Sequence, residues 1–227
     1  MMVRNWMRTH PMTIPSDTLV TEAKRVLAEN NLHALPVVDG GKLRGLVTRA
    51  NLLRTAHFVL RTQNQDELDF FATRLKVKDV MVRNPATVLA SDTMEHCLLK
   101  GQELGVAQFP VMEGERVVGV ISATEIFQLA AHCLGAWEQR SGVTLAPIRL
   151  GPGVLGRIVD VAEAAGAVVQ ALYPVGRHDD RPESGYQEKK VIIRFHARDF
   201  GAVASSLEEA GFAVIESVEA KRSAMAA

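Results

Sequence analysis

Two strand-to-helix junctions of the sequence carry side chains suited to hydrogen-bonding chemistry. In each junction a hydroxyl residue follows an apolar run, and a carboxamide or carboxylate stands three positions later: Thr48 with Asn51, and Ser122 with Glu125. A hydroxyl donates and accepts, Asn accepts through its carbonyl, and a carboxylate accepts two hydrogen bonds at once. Such pairs can hold a polar ligand. Ser122-x-x-Glu125 is also a capping box, which satisfies the first amides of a helix without any ligand.

The two junctions belong to an internal repeat formed by residues 7–53 and 81–127. The copies share residues at an offset of 74 (85 − 11 and 119 − 45), namely Pro11 with Pro85 and Gly45 with Gly119. In each copy we predict a helix capped by Asp17 or Asp92, then two strands joined by a Gly-containing turn, then a closing helix. One β-α-β-β-α unit of about 50 residues buries little apolar surface, so the two copies are expected to pack as one module.

The remaining segments predict a helical connector and a second kind of domain. Residues 52–76 carry apolar positions at helical spacing, so they are expected to pack rather than to form a flexible tether. After Trp137 the elements follow the order β-α-β-β-α-β, the split pattern of a ferredoxin-like sandwich. The predicted boundaries are therefore 1–76, 77–138 and 142–220.

Composition excludes several classes of protein. The 26 basic and 26 acidic side chains cancel, so no global charge draws the chain to nucleic acid or to an anionic membrane. No apolar stretch reaches the roughly 18 residues of a spanning helix, and the N-terminus has no apolar signal core, so we expect a cytoplasmic protein. Cys97 and Cys133 lack metal-ligand spacing, none of the His residues forms a metal pair, and no nucleophile motif appears. We therefore predict no catalysis, no metal and no obligatory cofactor.

The repeat resembles a tandem cystathionine-β-synthase (CBS) domain pair, also called a Bateman module, over roughly residues 1–135. The resemblance lies in these segments: Leu35-Pro36-Val37-Val38-Asp39 with Gly45 to Asn51, and Phe109-Pro110-Val111-Met112 with Gly119 to Glu125. The tail, with Leu150-Gly151-Pro152-Gly153-Val154-Leu155, resembles an ACT domain. The whole order resembles the acetoin-utilisation regulatory protein family. This resemblance implies an α+β fold, a homodimer, and regulation by a ligand rather than catalysis.

CBS pairs bind adenosine-containing ligands between the repeats, so the resemblance implies AMP, ADP, ATP, S-adenosylmethionine or an NAD-type molecule as the regulatory ligand. In the family pattern a Ser or Thr contacts phosphate or ribose, and an Asp three residues later accepts from the ribose hydroxyls. Here Asn51 lacks the charge, and Glu125 is one methylene longer than Asp. Arg49 can meet a phosphate. The expected ligand contacts are Thr13, His33, Ala34, Pro36, Thr48, Arg49, Asn51, Thr87, Pro110, Ser122 and Glu125.

In the tail, Gly151 and Gly153 lead directly into a predicted helix. The free amides at a helix start can receive a carboxylate, which is how ACT domains hold amino acids; an ordinary strand-to-helix turn explains the same residues.

Three functions remain open at this point. The first is a sensor in which an adenosyl ligand shifts the packing of the two repeats, while the tail dimerises or binds a second effector. The second is a constitutive homodimeric scaffold with empty pockets, which the replaced Asp positions favour. The third is a regulatory subunit that acts on a separately encoded enzyme as its protein partner.

Overall fold

The computed structural model describes residues 1–62, 65–138, 140–176 and 188–220, and the chain divides into two compact units. The first unit comprises residues 1–130, and the second begins at residue 131. No helix in the described ranges is long and apolar enough to cross a membrane.

The first unit begins with a 3₁₀ turn and contains seven strands, five whole helices and the greater part of a sixth. They follow one another as the turn Val3–Asn5, β1 Arg8–Thr9, α1 Val20–Glu29, β2 Ala34–Asp39, β3 Lys42–Thr48, α2 Arg49–Thr62, α3 Gln65–Thr73, α4 Val77–Val80, β4 Val82–Arg83, β5 Val88–Leu89, α5 Met94–Leu104, β6 Gln108–Glu113, β7 Arg116–Ser122 and α6 Ala123–Leu134. The last helix continues a few residues past the boundary of the unit.

Each copy of the repeat is built on one antiparallel hairpin. In β2–β3 Leu35 lies opposite Val47, and in β6–β7 Phe109 lies opposite Ile121, all four side chains being buried. The closing helices α2 and α6 begin immediately after β3 and β7. Thr48 and Ser122 therefore stand at the starts of helices, as the sequence predicts.

The predicted Asp caps are wrong in both copies. Helix α1 begins only at Val20, and its N-cap position is Leu19, which makes no side-chain cap. At α5 the cap is Thr93, whose hydroxyl accepts from the amide of His96 at 3.1 Å. Asp92 instead accepts from the amide of Leu89 at 2.8 Å, because the chain turns between β5 and the helix.

The two copies exchange the segments that precede them, which we call the first arm (residues 1–12) and the second arm (residues 75–86). Val3 of the first arm is fully buried in the core of the second copy. Val77, at an offset of 74 (77 − 3), is fully buried in the core of the first copy. Correspondingly, β1 pairs with β7 and β4 pairs with β3. Each copy therefore completes its core with residues that stand before the other copy in the sequence.

Two glycines allow the arms to approach the hairpins. A Cβ at Gly119 would lie 2.5 Å from Sδ of Met7 and 2.9 Å from the carbonyl oxygen of Arg8. A Cβ at Gly45 would lie 2.5 Å from Sδ of Met81 and 2.8 Å from the carbonyl oxygen of Val82. Each glycine is thus required by a close backbone approach rather than by a turn.

The second unit is a four-stranded antiparallel sheet with two helices. Its elements are β8 Ser141–Arg149, α7 Val154–Ala164, β9 Val168–Val175, β10 Glu188–His196, α8 Phe200–Glu209 and β11 Val214–Val218. The strand order is β11-β8-β10-β9. Phe195, Ile158 and Leu207 are fully buried, so the core lies between the sheet and both helices. This is the β-α-β-β-α-β order that the sequence predicts, while its assignment to ACT domains stays a prediction.

Candidate functional site

A cleft of about 120 Å³ lies where the two copies of the repeat meet. It is lined by residues from three parts of the first unit, namely Arg8 to Met12 of the first arm, Leu32 to Ala34 before and at the start of β2, and Gln108, Val120, Ser122 and Glu125 of the second copy. Polar side chains from both copies therefore face one space.

Glu125 is the buried acidic residue of this cleft, with 2% of its surface exposed. Its Oε2 accepts from the amide of Ser122 at 2.8 Å and from the hydroxyl of Ser122 at 2.5 Å. The Ser122 hydroxyl in turn accepts from the amide of Thr124 at 3.2 Å. The Glu125 carboxylate thus returns to the Ser122 amide, as in the expected capping box, while the Ser122 hydroxyl accepts from the amide of Thr124 rather than from that of Glu125.

Arg8 provides the positive charge that the buried Glu125 carboxylate needs. Arg8 Nε donates to Glu125 Oε1 at 2.9 Å, and the side chains are 48% and 3% exposed respectively. A buried carboxylate without a partner is costly, so this pair compensates the burial of Glu125. The pair joins the first arm to the second copy.

The corresponding junction of the first copy is neutral. The amide of Asn51 donates to the Thr48 hydroxyl at 3.1 Å, and that hydroxyl donates to Asn51 Oδ1 at 2.5 Å. Val82 stands where the other copy has Arg8, at an offset of 74 (82 − 8). Neither the carboxylate nor the guanidinium of the second copy has a counterpart here.

Arg49 lies away from the cleft. Its Nη2 donates to the carbonyl oxygen of Leu27 at 3.0 Å and lies 3.5 Å from Oδ1 of Asn31. The guanidinium thus serves the C-terminal end of α1, where positive charge is favourable, and the side chain lines an apolar groove between α1 and α2. The structure gives Arg49 a structural partner in place of a phosphate.

Of the other residues expected to contact the ligand, two line the cleft and four do not. His33 and Ala34 line the cleft together with Ser122 and Glu125. Thr13 is exposed just beyond Met12, the last cleft residue of the first arm. Thr87 is half-buried, and its carbonyl oxygen accepts from Nζ of Lys100 at 2.7 Å. Pro36 and Pro110 are buried within β2 and β6.

Gly151 and Gly153 lie in the second unit, immediately before α7. Gly153 is the N-cap residue of α7, with a φ of 78° that favours glycine. A Cβ at either glycine would meet no atom within 4 Å, so the positive φ, rather than a lack of space for a side chain, explains the glycine at position 153.

Sequence reasoning missed Arg8, His10 and Gln108 as cleft residues. The signal that identifies Arg8 is a break in the repeat, since an arginine replaces the valine found at the matching position of the second arm. Across the described part of the chain, no group of three or more His, Cys, Asp or Glu side chains is arranged to hold a metal ion.

The family to which the first unit belongs follows from comparison with known proteins. Residues 3–57 and 77–132 match the family model described as the CBS domain. The first unit is therefore a tandem pair of CBS domains, with the α+β fold that the sequence predicts.

Three curated relatives share this region. An L-aspartate semialdehyde sulfurtransferase of Methanocaldococcus jannaschii is 25% identical over 130 residues, which cover 56% of this chain and 23% of that protein. An inosine-5′-monophosphate dehydrogenase of Korarchaeum cryptofilum is 26% identical over 164 residues, which cover 66% of this chain and 31% of that enzyme. A CBS domain-containing protein of Dictyostelium discoideum is 29% identical over 136 residues, which cover 59% of this chain and 93% of that protein. The match thus spans less than a third of either enzyme, and their activities do not transfer to this chain.

Among solved structures, a Vibrio cholerae protein assigned to acetoin utilization (AcuB) is 21% identical, with a TM-score of 0.53 over 61% of this chain and 97% of that one. This likeness supports the fold of the CBS pair.

Proposed function

We propose that this chain is a ligand-controlled regulatory protein whose CBS pair binds an adenosine-containing molecule in the cleft. The observation that carries the proposal is that the cleft joins His33 of the first copy to Ser122 and Glu125 of the second. A ligand there contacts both copies at once. A regulatory effect requires the ligand to have different affinities for different packings of the copies, and contact with both copies allows this difference.

The size of the cleft limits how the ligand is held. Pockets for drug-sized ligands usually enclose about 300–1,000 Å³, whereas this cleft encloses about 120 Å³. A nucleotide would therefore keep part of its surface in solvent, and we expect moderate affinity. Moderate affinity suits a sensor that must release its ligand when the concentration falls.

Thermal unfolding of the full chain with AMP, ADP, ATP, S-adenosylmethionine and NADH, one at a time, tests the proposal. A ligand present at 100 times its Kd adds about 2.7 kcal/mol, which raises Tm by several degrees. A shift with at least one adenosyl compound supports the sensor. No shift with any of them supports the alternative of a constitutive scaffold with empty pockets.

A matched pair of variants locates the ligand. His33→Trp fills the cleft with a large ring, and Ala107→Trp makes the equivalent change in the second copy, at an offset of 74 (107 − 33). Both residues are exposed, so both variants are expected to fold. The ligand-induced shift should disappear in His33→Trp and persist in Ala107→Trp. Equal effects of the two variants would contradict binding at this cleft.

We also propose that two copies of the chain pair through the helical faces of the CBS domains. Leu53 of α2 and Phe127 of α6 occupy matching positions, at an offset of 74 (127 − 53), and are 67% and 75% exposed. Each projects beside an apolar groove, of about 280 Å³ between α1 and α2 and about 250 Å³ between α5 and α6. Exposed apolar side chains at the same place in both copies favour a symmetric partner.

Sedimentation of the full chain at micromolar concentration tests this pairing. We expect a dimer, which Leu53→Glu combined with Phe127→Glu converts to a monomer. A monomeric wild-type chain would contradict the proposal.

The C-terminal unit is proposed to be an ACT domain that dimerises or binds a second small effector. The strand order and the glycine at the start of α7 support this proposal. A shift in Tm with single amino acids, removed by Gly153→Val, would identify an effector site.

The alternative function of the whole chain is that of a regulatory subunit, with a separately encoded enzyme as its protein partner. In that case the amount of enzyme captured from an extract by this chain should change when the nucleotide is added.

A further inference from the structure

We infer that the cleft recognises a negatively charged 5′ group of its adenosine ligand through Arg8, rather than the ribose hydroxyls through Glu125. The inference rests on the proposed function and names the chemical class of the ligand: an adenosine 5′-phosphate, in preference to a neutral nucleoside.

The first step is that most hydrogen-bond acceptor sites of the Glu125 carboxylate are already used. A carboxylate offers about four lone-pair sites, and three donors use them here, two from Ser122 and one from Arg8. A ribose diol needs two acceptors at once. Glu125 therefore holds Arg8 in place and has too little capacity left for a diol.

The second step is that only one nitrogen of the Arg8 guanidinium makes a hydrogen bond within the described ranges. Its hydrogen bond to Glu125 involves Nε alone, and within the described ranges of the chain the two Nη groups make no hydrogen bond. The side chain lines the cleft and is 48% exposed. A guanidinium fork matches the geometry of phosphate oxygens, so the Nη edge is a ready anion receptor.

The third step concerns the charges around this edge. The titratable side chains that line the cleft are Arg8, His10, His33 and Glu125. Glu125 is the acidic member among them, and its carboxylate is held by Ser122 and by Arg8 Nε. A phosphate at the Nη edge therefore meets no unpaired carboxylate among the residues that line the cleft.

The backbone fixes Arg8 in this position. Arg8 lies opposite Val120 in the β1–β7 pair, and Thr9 lies opposite Gly119. His10 then has a φ of 54°, which turns the chain from the strand towards Pro11 and Met12 at the cleft. Because the arm is anchored by the buried Val3, the guanidinium is held for binding before the ligand arrives.

The other copy shows that this arrangement is particular to one cleft. Val82 and Asn51 occupy the places of Arg8 and Glu125, so that junction has neither the anion receptor nor the carboxylate that positions it. The longer Glu side chain and the arginine thus form one functional pair, and a single phosphorylated ligand per chain is expected.

Isothermal titration of the full chain with AMP, 2′-deoxy-AMP and adenosine tests the inference. The first two share the phosphate, while the second lacks the ribose diol. We expect AMP and 2′-deoxy-AMP to bind within about threefold of each other and adenosine to bind at least about tenfold more weakly, as for the loss of a charge-assisted hydrogen bond. Equal affinity for adenosine and AMP, or a tenfold loss with 2′-deoxy-AMP, would overturn the inference and leave the proposed function standing. If none of the three binds, the inference fails, and the thermal-unfolding series, which also contains ADP, ATP, S-adenosylmethionine and NADH, decides whether the proposed function fails with it.

Charge variants test the role of Arg8 itself. Arg8→Gln should lower the affinity for AMP to that for adenosine. Arg83→Gln removes the same charge from the second arm, where Arg83 lies near the Lys78 carbonyl, and should leave the preference unchanged. If Arg8→Gln does not fold, the neutral double variant Arg8→Gln/Glu125→Gln removes both charges together and should also lose the preference. A wild-type preference for AMP in a folded variant without Arg8 would overturn the assignment.

Discussion

Arg8 and Glu125 are separated by 117 residues in the chain and form an ion pair of 2.9 Å between Nε and Oε1. The pair connects the arm that precedes the first CBS domain to the start of the last helix of the second. It therefore reports directly whether the first arm is docked on the second copy as the structure shows.

The stability of the pair can be measured by a double-mutant cycle. Arg8→Met removes the cation and leaves Glu125, whose side chain is 3% exposed, without its charged partner. We expect a loss of about 1–2 kcal/mol, less than for a fully buried pair because Arg8 itself is half-exposed. The measurement is urea unfolding of the two single variants and of Arg8→Met/Glu125→Gln. The double variant should lose less than the sum of the singles; strict additivity would mean that the two residues do not interact in solution.

Gly119→Ala should push the first arm away from β7. The added Cβ would lie 2.9 Å from the Arg8 carbonyl oxygen, and the backbone there cannot yield as a flexible side chain can. We expect a loss of about 1–3 kcal/mol in the free energy of unfolding, as for overpacked cores, together with loss of ligand binding.

Gly45→Ala is the matched control, since its Cβ would meet the Val82 carbonyl oxygen at 2.8 Å in the other copy. It should cost a similar free energy of unfolding, while ligand binding at the Arg8 cleft is retained. Equal loss of binding in both variants would show that general destabilisation, rather than the position of Arg8, controls the site.

The two cysteines should react with thiol reagents at very different rates. Cys97 is fully buried in the core of the second CBS domain, and burial, together with nearby Asp92, raises the pKa of its thiol. Cys133 is exposed. Because the thiolate is the reactive species, iodoacetamide should label Cys133 first and Cys97 only on unfolding, as mass spectrometry of the peptides will show. Rapid labelling of Cys97 in the folded chain would contradict the packing of this core.

Asp39 should give the first CBS domain part of its acid sensitivity. The amide and hydroxyl of Ser16 hydrogen-bond to this carboxylate and hold its pKa below the usual value. A depressed pKa contributes stability above the unfolded value, near pH 4, and this stability is lost as the pH falls through the folded pKa. Since solvent screens the site, the contribution is well under about 1 kcal/mol.

Asp39→Asn should therefore flatten the decline in Tm below about pH 4, and Glu113→Gln, the exposed equivalent in the second copy, should leave it unchanged. The readout is Tm between pH 3 and pH 6. If Tm of Asp39→Asn declines below about pH 4 as steeply as Tm of the wild-type chain, the Ser16 hydrogen bonds do not persist in solution.

The repeat made most of the fold of the first unit predictable. Pro, Gly and apolar residues recur at one offset, so the hairpins and closing helices could be placed from local pattern alone. The exchange of arms could not be predicted in this way, because Val3 and Val77 are single valines whose burial depends on contacts distant in sequence.

The predicted caps at Asp17 and Asp92 are wrong for a related reason. A carboxylate near a helix start can serve either the helix or the preceding turn, and the choice depends on where the strand ends.

The site was predictable in part. Ser122 and Glu125 follow a pattern that local spacing reveals, and the capping box between them was one of the two predicted alternatives. Arg8 was not predictable, since it approaches Glu125 only through the β1–β7 pairing. Arg49 shows the opposite limit, because it directly follows Thr48 in the sequence, but its guanidinium donates to the Leu27 carbonyl oxygen at the end of α1.

Photo-crosslinking with 8-azido-AMP tests the central claim most directly. The full chain is irradiated with the probe, with and without excess AMP, and the labelled peptides are mapped by mass spectrometry. Binding in the cleft predicts competitive labelling of peptides that contain residues 8–12, 32–34 or 108. Competitive labelling confined to residues 46–51 and 82–85, or to the C-terminal unit, would contradict the assignment of the ligand to the Arg8–Glu125 cleft.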